Sequence, residues 1–235
     1  MSIAKQMKYV WSVRDLLYDA LGISLLIAFV ACVIGFVIGV ILAMIKIAPK
    51  NNIVIKILDK FVDVYVAVIR GTPMMVQLLI MYSFVFVSFK RADTNLIIPM
   101  VSFGINSGAY MTEIIRSGIN SVDKGQMEAG RSLGMSWVRT MFTIVIPQAI
   151  KVVVPTIFNE IIILIKETSI ISCIALRVNK EQVWDLLGLA ENLGLNKASC
   201  YMALLFTVAI IYLAIVLILT FIQKFIERRM SKNER

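Results

Sequence analysis

The chain has 235 residues, 59% of them hydrophobic and 17% charged, with no histidine and a formal net charge of +9. A soluble domain averages roughly 45–50% apolar residues, so the composition excludes an ordinary water-soluble domain and points to an integral membrane protein. The basic residues cluster at the ends of apolar runs, without an aromatic-interleaved basic stripe, which argues for membrane topology and against nucleic acid as a partner.

In chain order, residues 1–19 form a polar, basic and aromatic lead that reads as an interfacial amphipathic segment outside the cytoplasm. No short apolar core followed by a small-residue cleavage site opens the chain, so the lead is expected to be retained. A transmembrane body fills 20–223, and a basic tail occupies 224–235. The first span covers 20–45, where Ala31, Gly35, Gly39 and Ala43 recur at every fourth position and so share one helix face. Small residues at that spacing let a second helix approach closely, most simply within the same chain.

The second span, 61–89, carries Asp63 and Arg70 and is expected to bend at Arg70-Gly71-Thr72-Pro73. Lys90, Arg91 and Asp93 make the next loop, and the third span runs over 95–115 with Glu113 near its end. A fourth, broken span at 144–165 contains Lys151, Pro155, Asn159 and Glu160. A polar connection at 166–197 holds a short helix near 181–187, and the fifth span is 198–223. The fold class is therefore all-α, with five transmembrane helices. An odd count puts the termini on opposite sides. The excess of lysine and arginine in the loop after span one, the central segment and the tail makes those parts cytoplasmic and the N-terminus external.

The central segment, 123–147, is amphipathic and mixed in charge, unlike a simple connecting loop. Asp123 can cap a helix, with Gln126 placed to complete a capping box. Gly134 can take the left-handed conformation that ends the helix. Ser136 can cap a second short helix that runs through Arg139 into Ile144 and Pro147. The result is a helical elbow on the cytoplasmic side.

Glu128-Ala129-Gly130, three residues, Gly134, nine residues, Ile144, one residue and Ile146-Pro147 resembles the EAA motif of ABC importer permeases. That pattern reads Glu-Ala-Ala, Gly, Ile and Leu-Pro at the same offsets; Gly130 replaces the third Ala and Ile146 the Leu. Residues 70–78, 109–119, 124–134, 147–149 and 159–169 are also similar to the branch of the family that handles polar amino acids. The resemblance implies a type I permease of the plasma or inner membrane, paired with a second permease copy (itself or a close relative). It also implies two cytoplasmic ABC ATPase subunits and an extracytoplasmic amino-acid-binding protein. Glu128, Ala129, Gly130, Gly134, Ile144 and Pro147 would couple the elbow to the ATPase. No cofactor is expected on this chain: it has no glycine-rich phosphate loop with lysine and no metal-ligand cluster, so ATP would be bound and hydrolysed on the partner. Cys32, Cys173 and Cys200 lack metal or redox spacing and read as packing residues.

Charges within a bilayer are costly, roughly 2.5–3.5 kcal/mol each at the centre of a span, and are usually paired or functional. Arg70 and Asp63 are two helical turns apart and share a face, whereas Asp63 and Lys151 are expected to pair or reach the interface. Glu113, Asn159, Glu160 and Glu167, with Arg70 and Thr72 at the broken backbone, are the candidate substrate pathway. A zwitterionic amino acid needs a carboxylate for its ammonium and donors for its own carboxylate. The resemblance implies glutamine at Glu160 and glutamate at Ala67 in many relatives; the two departures pull in opposite directions, with a cationic amino acid slightly favoured over glutamine. Alternatives are a permease for methionine or an osmolyte, an ion-coupled secondary transporter, and a channel or structural subunit.

Overall fold

A computed structural model describes residues 2–89, 96–174, 176–178 and 181–232. Helix α1 (Ile3–Ser12) leads into α2 (Arg14–Ile47), followed by α3 (Ile53–Gly71) and α4 (Met74–Phe89). Next come α5 (Ile97–Asn120), α6 (Lys124–Ser132), α7 (Trp137–Thr140) and α8 (Ile146–Glu167). A hairpin of β1 (Leu176–Val178) and β2 (Glu181–Val183), then α9 (Leu186–Asn196) and α10 (Tyr201–Lys232), complete the chain. The loop expected at Lys90, Arg91 and Asp93 lies outside the described residues, as do the last three residues of the tail.

Three helical stretches, Arg14–Ile47, Trp137–Cys173 and Ala198–Met230, are long and apolar enough to cross a membrane. The pair α3 and α4, broken at Thr72–Pro73 as the Gly-Thr-Pro sequence requires, makes a fourth if counted as one span. Helix α5, the expected third span, has the length, but its polar side chains lower its hydropathy. Ser102, Asn106, Ser107 and Thr112 are all buried inside the protein, so they need not meet lipid.

Two expectations of local structure are corrected. The fourth span is not broken within Ile146–Glu167: α8 runs through Pro155 without interruption. The irregularity falls earlier, in a π turn at Met141–Val145 just ahead of Pro147, which has no N–H to return to the preceding turn. The short loop helix is not at 181–187, because Glu181–Val183 is a strand paired with Leu176–Val178. The helix starts only after Asp185, whose carboxylate accepts hydrogen bonds from the N–H groups of Leu187 (3.1 Å) and Gly188 (3.3 Å).

The chain forms two compact units, the first comprising Met1–Ile34, Thr72–Gly104 and Ile162–Ile218. Its apolar core has two clusters, one around Ile27, Leu78, Phe103, Leu164 and Ile171 and one around Leu17, Leu186, Ala190 and Leu204. Ser24 joins α2 to α9 by accepting from the N–H of Leu186 at 3.1 Å. Asp185 is only 1% exposed. Burial pushes its pKa up to about 7, against the opposing pull of the Leu187 and Gly188 N–H groups.

The second unit comprises Gly35–Gly71, Ile105–Ile161 and Leu219–Arg235. Here the small-residue stripe of α2 serves intrachain packing. A Cβ on Gly35 would sit 2.7 Å from the Ser107 Cβ, one on Gly39 would overlap Met111, and one on Gly108 would lie 2.7 Å from the Ile38 Cγ2. Glycines on both helices thus let α2 and α5 approach backbone to backbone.

Candidate functional site

The elbow folds from local rules. Asp123 caps α6 by accepting from the Gly125 N–H at 2.6 Å. The capping box does not close. The Gln126 Oε1 instead accepts from Gln148 Nε2 at 3.3 Å, and this links α6 to the first turn of α8. Gly134 has φ +82°, and the N–H groups of Gly134 and Met135 return to the carbonyls of Arg131 and Gly130 at 3.0 and 3.1 Å. That pair of bonds is a Schellman ending, which needs a left-handed residue where Gly134 stands. Ser136 caps α7 by accepting from the Arg139 N–H at 3.2 Å.

Glu128 and Ala129 lie on the exposed face of α6, and Pro147 is exposed at the start of α8, whereas Ile144 is half-buried. Gly130 is buried: a Cβ there would meet the Thr140 Cγ2 at 2.5 Å and the Ile144 Cδ1 at 3.2 Å. Its role is to let α6 close on the following turn, so the elbow's outward surface is carried by Glu128 and Ala129 and not by Gly130. Leu133 is 82% exposed, and Val138 and Phe142 are also exposed, among exposed neighbours that are mostly charged, polar or small. The sequence reading passed over these three. The signal was available, as large apolar residues at the end of a polar helix and just after it, where no amphipathic stripe requires them.

The same unit holds a charged cleft of about 300 Å³ lined by Arg70, Glu113, Arg116, Ser117, Val152 and Thr156, among others. Glu113 receives two hydrogen bonds from Arg116, at 3.0 and 2.8 Å, and lies 3.8 Å from Arg70. The Arg70 guanidinium also stands 5.1 Å from the centre of the Tyr110 ring. Arg70 therefore pairs with Glu113 and not with Asp63, the residue two turns away on its own helix. Asp63 is taken by Lys46 at 2.7 Å, and Lys46 together with Lys50 also holds Asp59.

Glu160 is buried, 7% exposed, and accepts from the Ser107 hydroxyl at 3.1 Å. Asn159 is exposed on α8. In the first unit, Thr72 accepts two hydrogen bonds from the Gln77 amide, at 3.1 Å to its carbonyl and 2.7 Å to its hydroxyl. Glu167 is half-buried at the end of α8 in that unit. Of the residues singled out in the sequence, the structure joins Arg70 to Glu113. It gives each of the others surroundings of its own. Arg116, Tyr110 and Ser107 complete the charged and polar groups and were missed, because their partners lie on other helices or, for Arg116, on the same face one turn back.

Helices fit to span a membrane, a capped elbow and a polar cleft define a multi-pass membrane protein. The chain belongs to the family of binding-protein-dependent transport system inner membrane components, matched over residues 35–232. It is 35% identical over 92% of its length, and 93% of the relative's, to the arginine transport system permease protein ArtQ of Bacillus subtilis. It is 34% identical to a putative glutamine transport system permease protein, GlnP, of Rickettsia typhi, covering 90% of this chain and 91% of that one. The L-cystine transport system permease protein TcyB of Bacillus subtilis is 38% identical over 72% of this chain and 69% of its own.

Among solved structures, an amino acid ABC transporter crystallised with histidines matches with a TM-score of 0.83 and 33% identity, over 97% of this chain and 99% of that one. The MetNI methionine ABC transporter, at 17% identity and a TM-score of 0.74 over 93% and 98% of the two chains, shares the fold. The chain is a permease component, and the elbow carries the motif characteristic of its family.

Proposed function

We propose that this chain is the permease subunit of an ATP-driven importer for polar amino acids. The observation that carries the reading is the near full-length likeness to amino acid permeases and to an amino acid ABC transporter at 33% identity. Two permease copies, identical or closely related, would form the pathway over two cytoplasmic ABC ATPases, with an external amino-acid-binding protein delivering substrate. ATP would be bound by those ATPases, and this chain needs no cofactor of its own. The N-terminus faces outward and the tail lies in the cytoplasm.

Glu128 and Ala129 present the coupling surface, while Gly130, Gly134, Ile144 and Pro147 hold the elbow's shape. In the pathway, Arg70 and its neighbour Arg116 supply donors for a substrate carboxylate. Glu113 and Glu160 supply carboxylates for ammonium groups, and Thr72, Asn159 and Glu167 add polar lining. A buried carboxylate at Glu160 favours a cationic side chain, such as that of arginine, lysine or histidine, over glutamine.

Uptake of a panel of amino acids by the reconstituted complex tests both levels. Cationic amino acids should compete best, and Glu160→Gln should move the preference several-fold toward glutamine. An unchanged ranking in that variant removes Glu160 from the specificity site; absence of any amino acid uptake by the wild type overturns the function itself.

A further inference from the structure

A groove of about 360 Å³ in the first unit lies along α1, the start of α2 and α10. Its lining includes Trp11, Arg14, Leu17, Leu21, Ile215 and Ile218. Along α10 it runs from Thr207 to Ile218, which at 1.5 Å per residue is about 16 Å. That is close to half the ~30 Å thickness of a bilayer's hydrocarbon core, the depth of one leaflet. Gln6 meets Ser199 ahead of the groove and Ser24 meets Tyr212 further along, so α2 and α10 run the same way, and on both the polar lining residues, Arg14 and Thr207, come before the apolar ones. The groove therefore has a polar end and an apolar end.

The polar end is built for a headgroup. The Arg14 guanidinium stands 5.0 Å from the centre of the Trp11 ring and donates to the Trp11 carbonyl at 3.3 Å, which fixes its direction. Its other charged contact is Asp15 at 3.6 Å, whose side chain is 80% exposed, so water screens that pair. Further N–H donors of the guanidinium fork remain for a phosphate. Tyr18, also in the lining, is exposed, as Trp11 is; indole and phenol side chains of this kind settle at the level of lipid headgroups.

We propose that this groove binds one anionic phospholipid, its phosphate on Arg14 and one acyl chain along Leu17, Leu21, Ile215 and Ile218. A lone arginine on a helix would hold only a fluctuating counterion. Here the charge is fixed by the Trp11 contacts at the head of a leaflet-deep apolar channel, so both parts of the lipid gain contacts together. A zwitterionic lipid would bring its own cation to the guanidinium and lose most of that advantage.

The test uses the full chain, purified in mild detergent and titrated with phosphatidylglycerol or phosphatidylcholine, with bound lipid counted by native mass spectrometry. Wild type should hold one phosphatidylglycerol at least five-fold more tightly than phosphatidylcholine. Arg14→Gln should abolish the preference, Arg14→Lys should keep most of it, and Ala214→Trp, which fills the groove, should displace lipid of either charge. Melting temperatures without added lipid show that each variant is folded. Equal binding of the two lipids by wild type, or an unchanged preference in Arg14→Gln, overturns the proposal. So does finding the groove closed by a second copy of the chain, seen as a lipid-free dimer that Ala214→Trp dissociates.

Discussion

The elbow and the charged cleft belong to the same unit, yet they are specified in opposite ways. Every hydrogen bond that shapes the turn at Gly134 joins residues within five positions of each other, and each follows from the residue type at a cap or a left-handed position. In the cleft, Arg70 reaches from α3 to Glu113 on α5; outside it, Ser107 on α5 reaches Glu160 on α8. Two-turn spacing put Arg70 and Asp63 on one helix face, and tertiary packing gave each a partner elsewhere, Glu113 and Lys46. A segment whose shape is local can be carried as a motif, whereas a cleft assembled from several helices can change one partner at a time.

The sharpest way to break this comparison is at the elbow's surface. Glu128 is exposed, so Glu128→Arg should leave the melting temperature unchanged while lowering ATPase activity coupled to transport at least ten-fold, equivalent to about 1.4 kcal/mol or more of docking energy. Equal stimulation in wild type and variant would show that the elbow is not the coupling surface.

Two helix caps give the next contrast, because Asp123 is exposed and Asp185 is buried. The folded pKa of Asp185 is raised from 3.8 to about 7, so between those values the folded state binds more protons than the unfolded one. Stability should therefore be greatest below about pH 4 as far as this group is concerned, and fall as pH rises toward 7, by on the order of a few kcal/mol in all. Asp185→Asn keeps the cap and should flatten that part of the profile. Thermal unfolding across this pH range decides the point.

Gly130→Ala should destabilise by about 1–3 kcal/mol, through overlap with Thr140. Adding Thr140→Ser removes the Cγ2 at 2.5 Å and should recover part of the loss. If the double variant is no more stable than the single one, the close approach is not what requires glycine. The smallest change in stability is expected for Glu113→Gln. Its ion pairs with Arg70 and Arg116 are partly exposed, so the loss should stay below about 1 kcal/mol. The KM for uptake should nonetheless rise several-fold, a split that separates a pathway residue from a purely structural one.

The sequence was most informative where the physics is short-ranged or periodic. The small residues at Gly35 and Gly39 marked the face on which α2 packs, since a fourth-position repeat stays on one side of a helix and a missing side chain has only a steric use there. Asp123, Gly134 and Ser136 placed the elbow's bends for the same reason. Gln126 shows the limit: its spacing suited a capping box, but Gln148, 22 residues later, offered another donor and took the contact. The fourth span was expected to be broken, but α8 continues through Pro155 and the irregular turn lies ahead of Pro147.

By itself, then, the sequence determined that this is a helical membrane protein, where its elbow caps and turns, and which transport family it resembles. These depend on residue type, period and motif spacing. Only the tertiary structure decided which charge meets which, that Gly130 faces inward and Leu133 outward, and that Arg14 heads a groove. Those outcomes depend on helices far apart in the chain and on which polar groups burial leaves closest together.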